Sequence, residues 1–419
     1  MSLLTSLSTG TTGLSSASAE LSVVGDNLAN ANTVGFKSER AAFADALAQT
    51  VVGGQGQIGL GSRLQAVQRI LSEGSLSNTG VATDLALQGT GYFEVSGTTS
   101  DGRQGSFLTR AGQFTVDNSG FLVNLDGLRV QGYPADPAGN IASALGDLQV
   151  GNASSAPLPT SAVTIQGNLQ SDAVLAPAWD PLNPATSSTF STSVTVYDSL
   201  GADHQVQVYF SKTADATAGP PATDAAWDWH ALTDVGGVAT PAGNGGLTYD
   251  NLGNLTSGAI GAGAFNPPGA APLGFTIDFS AITQFAGASA TTFVGQDGFS
   301  SGQLSSIQID KTGTVQGIFT NGQTRPIGQV GVARVAAPDQ LERTGGNLYA
   351  VTRRSGQAVM GAAGTGGRAF ISSGTLEQSN VDIADQFVRM ITAQRNFQAN
   401  SKTITTADQL LSELIAMKR

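Results

Sequence analysis

Proline is confined to the middle of this 419-residue chain, and this distribution constrains the fold more than any other feature. All fifteen prolines lie between Pro134 and Pro338, so the first 133 and the last 81 residues contain none. Proline interrupts a helix because it lacks a backbone N–H and its ring clashes with the preceding turn. Both ends of the chain can therefore form long helices.

Charge divides the chain at similar places. Residues 131–309 contain thirteen Asp, no Glu and a single basic residue, Lys212, so this window has a net charge of −12 in a chain of −11. A chain of this length usually forms more than one domain. We interpret the middle as a separate, solvent-exposed domain inserted between two ends that belong together. Acidic loops scattered by chance are the alternative.

Both ends have the apolar spacing of helices that pack along a seam. The C-terminal series predicts a helix from about 381 to 418, ~57 Å long, which is typical of a coiled coil. The N-terminal series is rich in Ser, Thr and Gly and is a poor helix former without neighbours. A two-helix flank packed on its own domain is the alternative. The predicted seam residues are Leu7, Leu14, Leu21 and Leu28, with Leu3, Ala17, Val24 and Ala31 in the second series, and Ile383, Phe387, Met390, Phe397, Ile404, Leu411 and Ile415.

Between the ends the pattern predicts β-strands. Short β-prone runs at 92–95, 114–116, 121–123, 194–197 and 206–210 are separated by turn residues. The form Asp-x-x-Gly recurs at Asp117, Asp198, Asp250 and Asp310. We interpret these as hairpin turns, because the alternating carboxylates of an EF-hand calcium loop are absent.

Composition excludes most site chemistry. The chain has no Cys and only His204 and His230, so thiolate chemistry and multi-histidine metal sites are not expected. Residues 364–369 match a loose dinucleotide pattern but are not followed by a predicted helix. The acidic balance argues against nucleic-acid binding. No apolar run approaches the ~18 residues of a membrane span, and no Sec signal peptide is expected. We therefore predict that the chain is not an enzyme and has no catalytic residue, cofactor or metal.

Several motifs resemble those of the flagellar rod and hook family of axial proteins. Residues 27–37, Asn-Leu-Ala-Asn-Ala-Asn-Thr-Val-Gly-Phe-Lys, resemble its N-terminal signature, and residues 379–382 and 393–402 its C-terminal signature. Residues 84–93 and 109–114 are similar to the β-core of these proteins, and residues 193–204 resemble the outer domain of hook members. The resemblance implies a structural subunit that polymerises into the hook. This short, curved, flexible tube acts as a universal joint and passes motor torque from the rod to the filament.

The resemblance also implies a multidomain fold with long coiled-coil termini and two mainly-β domains, the outer one inserted into the inner one. The implied division is a terminal helical region with its connecting segment at 1–71 and 372–419, an inner β-domain at 72–150 and 296–371, and an outer β-domain at 151–295. The signature residues are assigned to chain turning and subunit packing, with a positive φ or a close backbone approach expected at the glycine. These residues are Asn27, Asn30, Asn32, Gly35 and Phe36.

The implied partners belong to the flagellum. They are other copies of the chain in a helical homopolymer, the distal rod protein at the base, the hook–filament junction protein at the tip, and the hook cap and type III export apparatus during assembly. Neither nucleic acid nor membrane insertion is implied. The implied location is the flagellar hook outside the cell, reached by export without a cleaved signal peptide.

Two other interpretations remain open. A distal rod or other axial protein would share the motifs but would not need the large insertion at 131–309. A secreted carbohydrate-binding or hydrolytic β-protein would need an aromatic platform or a carboxylate pair in a cleft. Trp179, Trp227 and Trp229 lie in the middle window and are the candidates for such a platform.

Overall fold

The computed structural model describes residues 3–46, 49–50, 57–217 and 224–417, and in them a helix at each end encloses thirty-one strands. The N-terminal elements are α1 (Leu3–Ala29), β1 (Glu39–Asp45), β2 (Gln49–Thr50), β3 (Gln57–Ile58), β4 (Ser62–Arg69), β5 (Leu76–Asn78), β6 (Leu85–Gln88), β7 (Tyr92–Thr98), β8 (Gln104–Thr109), β9 (Phe114–Val116), β10 (Leu122–Asn124), β11 (Arg129–Pro134) and β12 (Gly146–Asp147).

The middle of the chain is all β. Its strands are β13 (Ser154–Ser155), β14 (Ala162–Asn168), β15 (Phe190–Tyr197), β16 (Asp203–Ala214), β17 (Ala225–Val235), β18 (Val238–Tyr249), β19 (Leu255–Ser257), β20 (Ile260–Phe265), β21 (Leu273–Asp278), β22 (Ile282–Thr283) and β23 (Ala290–Gln296).

The C-terminal part returns to short strands and ends in a long helix. Its elements are β24 (Gly302–Ile309), β25 (Thr314–Phe319), β26 (Thr324–Arg334), a short 3₁₀ helix (Pro338–Gln340), β27 (Glu342–Gly345), β28 (Leu348–Ala350), β29 (Val359–Ala362), β30 (Phe370–Ser373), β31 (Thr375–Glu377) and α2 (Ile383–Met417).

The internal contacts of the chain define two units. Unit 1 comprises residues 1–153, 306–317 and 324–419, and unit 2 comprises residues 154–305 and 318–323. The bulk of the chain is β, with terminal helices, as the sequence predicts. Both helices fall in unit 1 together with the sheets of that unit. The division into three domains and the supercoiling of the helices therefore stay predictions.

In unit 1 the two helices pack against each other at positions where α1 carries glycine and therefore no side chain. A Cβ at Gly10 would lie 2.9 Å from Ile404 Cγ1, and one at Gly13 would lie 2.7 Å from Asn400 Cγ. Glycine has no side chain to separate two backbones. The glycines that weaken α1 as an isolated helix are therefore its points of closest approach to α2.

A hairpin formed by β1 and β4 also packs on α1, although no pattern in the sequence predicts it. Its register runs from Glu39 opposite Arg69 to Asp45 opposite Ser62. Ser62 Oγ lies 2.9 Å from Ser16 Oγ of α1. The connecting segment predicted within residues 1–71 is thus an ordered part of unit 1 where the structure describes it.

The β part of unit 1 contains the antiparallel run β26-β11-β7-β8-β28-β27. Its buried side chains include Phe93, Val95, Leu108, Val130 and Val332. Strand β31 pairs with β5, and β30 pairs with β6. The C-terminal chain thus passes through two strand pairs before α2 begins.

Unit 2 is built on a ten-stranded sheet in the order β15-β16-β17-β18-β20-β21-β14-β22, with β19 and β23 attached to β18 and β14. The predicted hairpin around Asp198 is present as β15 and β16. Strands β15 and β23 also contact each other, so the sheet curls around its core. The bulkiest side chains of that core are Phe210, Trp227, Trp229, Tyr249 and Phe279.

The Asp-x-x-Gly segments are turns, as predicted. In each, one carboxylate oxygen accepts the backbone N–H groups two and four residues later, and the glycine has a φ of 82–88°. The hydrogen bonds from Asn254 hold the pKa of Asp250 below its ordinary value. The predicted turns begin at Asp117, Asp198, Asp250 and Asp310, and a further turn of the same form begins at Asp136.

Candidate functional site

The two ends of the chain meet the sheets of unit 1 at a buried ion cluster. Glu377, the last residue of β31, is fully buried and accepts hydrogen bonds from Lys37 Nζ at 2.5 Å and Arg110 Nη1 at 3.3 Å. The backbone N–H of Gly74 donates to the same carboxylate at 3.2 Å. Three separate segments of unit 1 therefore converge on a carboxylate carried by a fourth, and we call Lys37, Arg110 and Glu377 the junction triad.

The cations of the triad are also fixed by backbone carbonyls. Lys37 Nζ donates to Ser72 O at 2.7 Å, and Arg110 Nη2 donates to Gly89 O at 2.7 Å. Burial lowers the pKa of Lys37 below its ordinary value, and the bond to Glu377 opposes this effect. A buried charge needs such partners because leaving it unpaired is costly.

Two asparagines hold the chain beside the triad. Asn27 donates to Glu39 O at 2.7 Å and to Gln386 Oε1 at 3.1 Å, and it accepts the N–H of Glu39 at 2.8 Å. Asn380 accepts the N–H of Ser38 at 2.7 Å and donates to Ile70 O at 2.9 Å. The segment that follows α1 and the segment that precedes α2 are thus held by hydrogen bonds of side-chain amides.

Gly35 has the conformation and the close approach expected from the sequence. Its φ is 71°, and a Cβ there would lie 2.7 Å from Ala111 N. The neighbouring Phe36 is buried under the guanidinium of Arg343, which also bonds Asp26 at 3.0 Å. A larger residue at position 35 would push this turn away from Arg110 of the triad.

Helix α2 has one buried face and a separate exposed apolar stripe. Among the side chains whose burial the structure describes, Gln386, Ala393 and Ala407 are buried. Ile383, Phe387 and Ile391 follow at four-residue spacing and are 46%, 48% and 50% exposed. Residues four apart lie on one side of a helix. The stripe is therefore continuous over two turns and is left open by the chain itself.

The structure places the predicted assembly residues in three environments. On α1, Ala17 and Val24 of the second series are buried, whereas the four leucines are half-buried. Ala31 of the same series lies beyond the end of the helix and is partly buried. The buried residues are Asn27, Gly35 and Phe36. The partly buried residues are Leu7, Leu14, Leu21, Leu28, Asn30, Met390, Ile404 and Leu411. The exposed residues are Asn32, Ile383, Phe387, Phe397 and Ile415. The assembly role of these residues stays a prediction.

The sequence singles out Asn27 but not the junction triad or Asn380. Lys37 and Arg110 stand inside the quoted motifs, and Glu377 stands two residues before the C-terminal signature. A charged residue in an otherwise uncharged motif was the available signal. Their meeting depends on long-range strand pairing, which spacing along the chain does not reveal.

The alternative sites do not form. Trp227 and Trp229 are core residues of unit 2, so they offer no platform for a sugar. Trp179 stacks on His230 with 4.2 Å between ring centroids, and His230 lies on β17 inside the sheet. Residues 370–373 after the glycine-rich loop form strand β30, not a helix.

The described residues contain neither a metal-binding cluster nor a membrane-spanning helix. Within residues 3–46, 49–50, 57–217 and 224–417, no group of three or more His, Asp or Glu side chains could hold a metal ion. Over the same ranges, no helix has the length and hydropathy needed to span a membrane.

Four family models match successive parts of the chain. "Flagella basal body rod protein" matches residues 7–37, and "Flagellar hook protein FlgE/F/G D1 domain" matches residues 86–173. "Flagellar basal body protein FlaE D2 domain" matches residues 168–299, and "Flagellar basal body rod FlgEFG protein C-terminal" matches residues 372–417. Each member of the junction triad lies inside a different matched segment, with Lys37 at the end of the first and Glu377 near the start of the last.

Whole-chain similarity extends to named proteins. The chain is 35% identical over 420 residues to the flagellar hook protein FlgE of Escherichia coli (strain K12), covering 97% of this chain and 98% of that one. It is 34% identical over 478 residues to the flagellar hook protein FlgE of Treponema pallidum (strain Nichols), covering all of both. The crystal structure of Helicobacter pylori flagellar hook protein FlgE2 shares the fold, with a TM-score of 0.52 at 16% identity over 72% of this chain and all of that one. Identity above 30% over the full length shows that the chain belongs to the family of bacterial flagellar hook proteins.

Proposed function

We propose that this hook subunit polymerises into a curved, flexible tube that transmits torque from the rod to the filament, and that its terminal segments supply the main contacts between copies. Hook proteins are structural proteins of the flagellum rather than an enzyme family. The observation that carries the proposal is the exposed stripe of Ile383, Phe387 and Ile391 on α2.

The stripe is costly to leave in water. Burial of a large apolar side chain contributes about 1.5–3 kcal/mol, so covering the exposed half of each of these three residues contributes about 1 kcal/mol apiece. In a polymer this gain repeats at every subunit. A second copy of the chain is therefore the natural cover for the stripe.

Replacing Phe387 by Asp tests the stripe directly. The charge would have to be buried without a partner, so we expect polymerisation of the purified chain to fail while the β-sheets still fold. Sedimentation and electron microscopy report the tube, and circular dichroism reports the fold. Phe397→Asp, at a site 38% exposed, is expected to act in the same direction.

Thr392→Asp is the matched control. Thr392 is exposed on the same helix, five residues and thus about 140° around from Phe387. It introduces the same charge away from the stripe, so tubes should still form. Normal tubes from Phe387→Asp would contradict the proposal.

The finer organisation and the partners belong to the same proposal. The three-part division at 1–71/372–419, 72–150/296–371 and 151–295 is supported by the boundaries of unit 2, which interrupt unit 1 along the chain. The distal rod protein, the hook–filament junction protein, the hook cap and the type III export apparatus are the proposed partners. The proposed location is outside the cell, reached without a cleaved signal peptide.

A further inference from the structure

Four arginines around one end of β26 have no carboxylate partner within the described chain. The side chains of Arg353 and Arg354 form no hydrogen bond or ion pair there, and both are exposed on a turn closed by Thr352 and Ser355. Arg334 donates only to Gly366 O at 2.8 Å. Arg368 donates only to neutral oxygens, the nearest being Met360 O at 3.0 Å. We call Arg334, Arg353, Arg354 and Arg368 the arginine patch.

The four residues lie around one end of β26. Arg334 is its last residue and is opposite Val359 of β29, whose carbonyl accepts Arg368 Nε at 3.3 Å. The turn that carries Arg353 and Arg354 is joined to the chain just after β26, because Ala337 N donates to Ser355 O at 3.1 Å. The patch is therefore a local concentration of positive charge.

Acidic residues near the patch do not neutralise it. Asp339 lies on the adjacent 3₁₀ helix but forms no ion pair with these arginines. Glu73 shares with Arg334 the lining of a pocket of about 250 Å³, but its carboxylate accepts the backbone N–H of Gly89. By contrast, Arg69, Arg129 and Arg343 of the same unit each lie within 4 Å of a carboxylate.

Unit 2 has the opposite charge and little to balance it. It contains eleven Asp, no Glu and a single basic residue, Lys212, so its net charge is −10. Lys212 is buried, and its Nζ bonds Ala173 O at 3.2 Å and the carboxylate of Asp215. Asp203, Asp228 and Asp234 are exposed. The surface of unit 2 thus presents carboxylates without an exposed cation.

We propose that the arginine patch of one copy binds the Asp-rich surface of unit 2 of a second copy in the polymer. This rests on the proposed function, because only a polymer holds copies side by side at high local concentration. Charge complementarity across an interface speeds association and selects orientation more than it adds affinity. The contact therefore governs the rate and the register with which subunits add, whereas the apolar stripe of α2 supplies cohesion.

The test is the salt dependence of polymerisation by the full-length chain. Attraction between exposed charges weakens as the Debye length shrinks from about 10 Å at 0.1 M salt to about 3 Å at 1 M. We expect wild-type elongation, followed by light scattering, to slow over this range. Arg353→Glu with Arg354→Glu should slow elongation about tenfold at low salt and remove most of the salt dependence. The thermal midpoint of the monomer should not change, because neither side chain has a partner within the described chain.

Arg103→Glu with Lys311→Glu is the matched control, since both residues are exposed in unit 1 outside the terminal segments and the change in net charge is the same. It should elongate at the wild-type rate. If the patch variant also elongates at the wild-type rate with the wild-type salt dependence, the inference is wrong. If the wild-type chain itself forms no tubes, the proposed function fails instead.

A charge swap identifies the partner surface. Asp203→Lys, Asp228→Lys and Asp234→Lys together place cations on unit 2. Mixed with the patch variant, this chain should restore the attraction in reverse, so the mixture should elongate faster than either chain alone. A mixture no faster than the two separate chains would show that unit 2 is not the partner.

Discussion

Glu377 is a fully buried carboxylate, and its two cationic partners come from two different motifs, Lys37 from the one that follows α1 and Arg110 from the one between β8 and β9. Removing one member of a buried set of ions lowers the free energy of unfolding by more than the complete set contributes to it, because the remaining charges stay buried without partners. Lys37 and Arg110 would be left in that state. The triad therefore acts as a fixed point for the exit of α1 and the entry to α2.

Glu377→Gln should lower the free energy of unfolding of unit 1 by about 3–5 kcal/mol at neutral pH. Glu342→Gln is the control, because the side chain of Glu342 is 59% exposed and its change should cost less than about 0.5 kcal/mol. Urea unfolding followed by fluorescence and circular dichroism measures both. Equal effects of the two substitutions would contradict the role of the triad.

The loss of stability caused by Glu377→Gln should also depend on pH. In the Glu377→Gln variant the neutral amide no longer supports the charge of Lys37, so the pKa of Lys37, already lowered by burial, falls further below 10.5. At alkaline pH the native variant then binds fewer protons than its unfolded chain, and stability rises with pH wherever this holds. The difference from wild type should therefore shrink as pH rises towards 10.5. A difference that grows over this range would mean that Lys37 is not the group left unpaired.

At the residue scale, the sequence predicts the backbone conformation of a residue better than it predicts which distant residues that residue contacts. The positive φ of Gly35 and the Asp-x-x-Gly turns follow from local chemistry, because the turn itself needs those residues. The meeting of Lys37 with Glu377 joins residues 340 apart in sequence. No local preference specifies such a pair; it becomes visible only once β31 is placed next to β5.

Among the elements, α1 combines a weak sequence with a close contact. Gly10 and Gly13 reduce its intrinsic helicity, yet both lie against α2, whereas Gly25 has no atom within 4 Å of a Cβ position. Glycine in a helix costs about 1 kcal/mol relative to alanine. The same substitution should therefore have different results at different positions.

Gly25→Ala should stabilise α1 by up to about 1 kcal/mol, because the added methyl group meets open space. Gly13→Ala places a carbon 2.7 Å from Asn400 Cγ, so α2 must shift and the gain should be lost or reversed. Hydrogen exchange of the amides of α1 and α2 reports both changes. Equal stabilisation by the two variants would mean that the helices are not this close.

The two helices and the hairpin of β1 and β4 show which elements a sequence reveals. The helices were predicted because proline is absent and apolar residues recur at helical spacing. The hairpin was missed because most of the side chains of β4 are exposed, so no strict apolar alternation marks it. Its order comes from packing on α1, which is a tertiary effect.

For the whole molecule, unit 2 can be removed at a place that the structure defines. Leu158 and Phe299 face each other with two reciprocal backbone hydrogen bonds of 3.0 Å. Such a pair can be closed by a two-residue Asn-Gly turn. Deleting residues 159–298 and joining Leu158 to Phe299 in this way removes all eleven Asp of the unit and leaves unit 1 continuous.

The shortened chain should show that the contacts that hold the tube together differ from the contacts that set its curvature. The apolar stripe of α2 and the junction triad remain, so tubes should still form, although more slowly because the acidic partner of the arginine patch is gone. Contacts between charged, exposed surfaces contribute little energy each and can be exchanged without loss of the polymer. We therefore expect tubes that lack the curvature of wild-type tubes, as seen by electron microscopy of negatively stained samples. The folded state of the shortened monomer is checked by circular dichroism. A folded shortened chain that forms no tube would show that unit 2 is needed for cohesion, and the division of labour between helices and charged surfaces would be wrong.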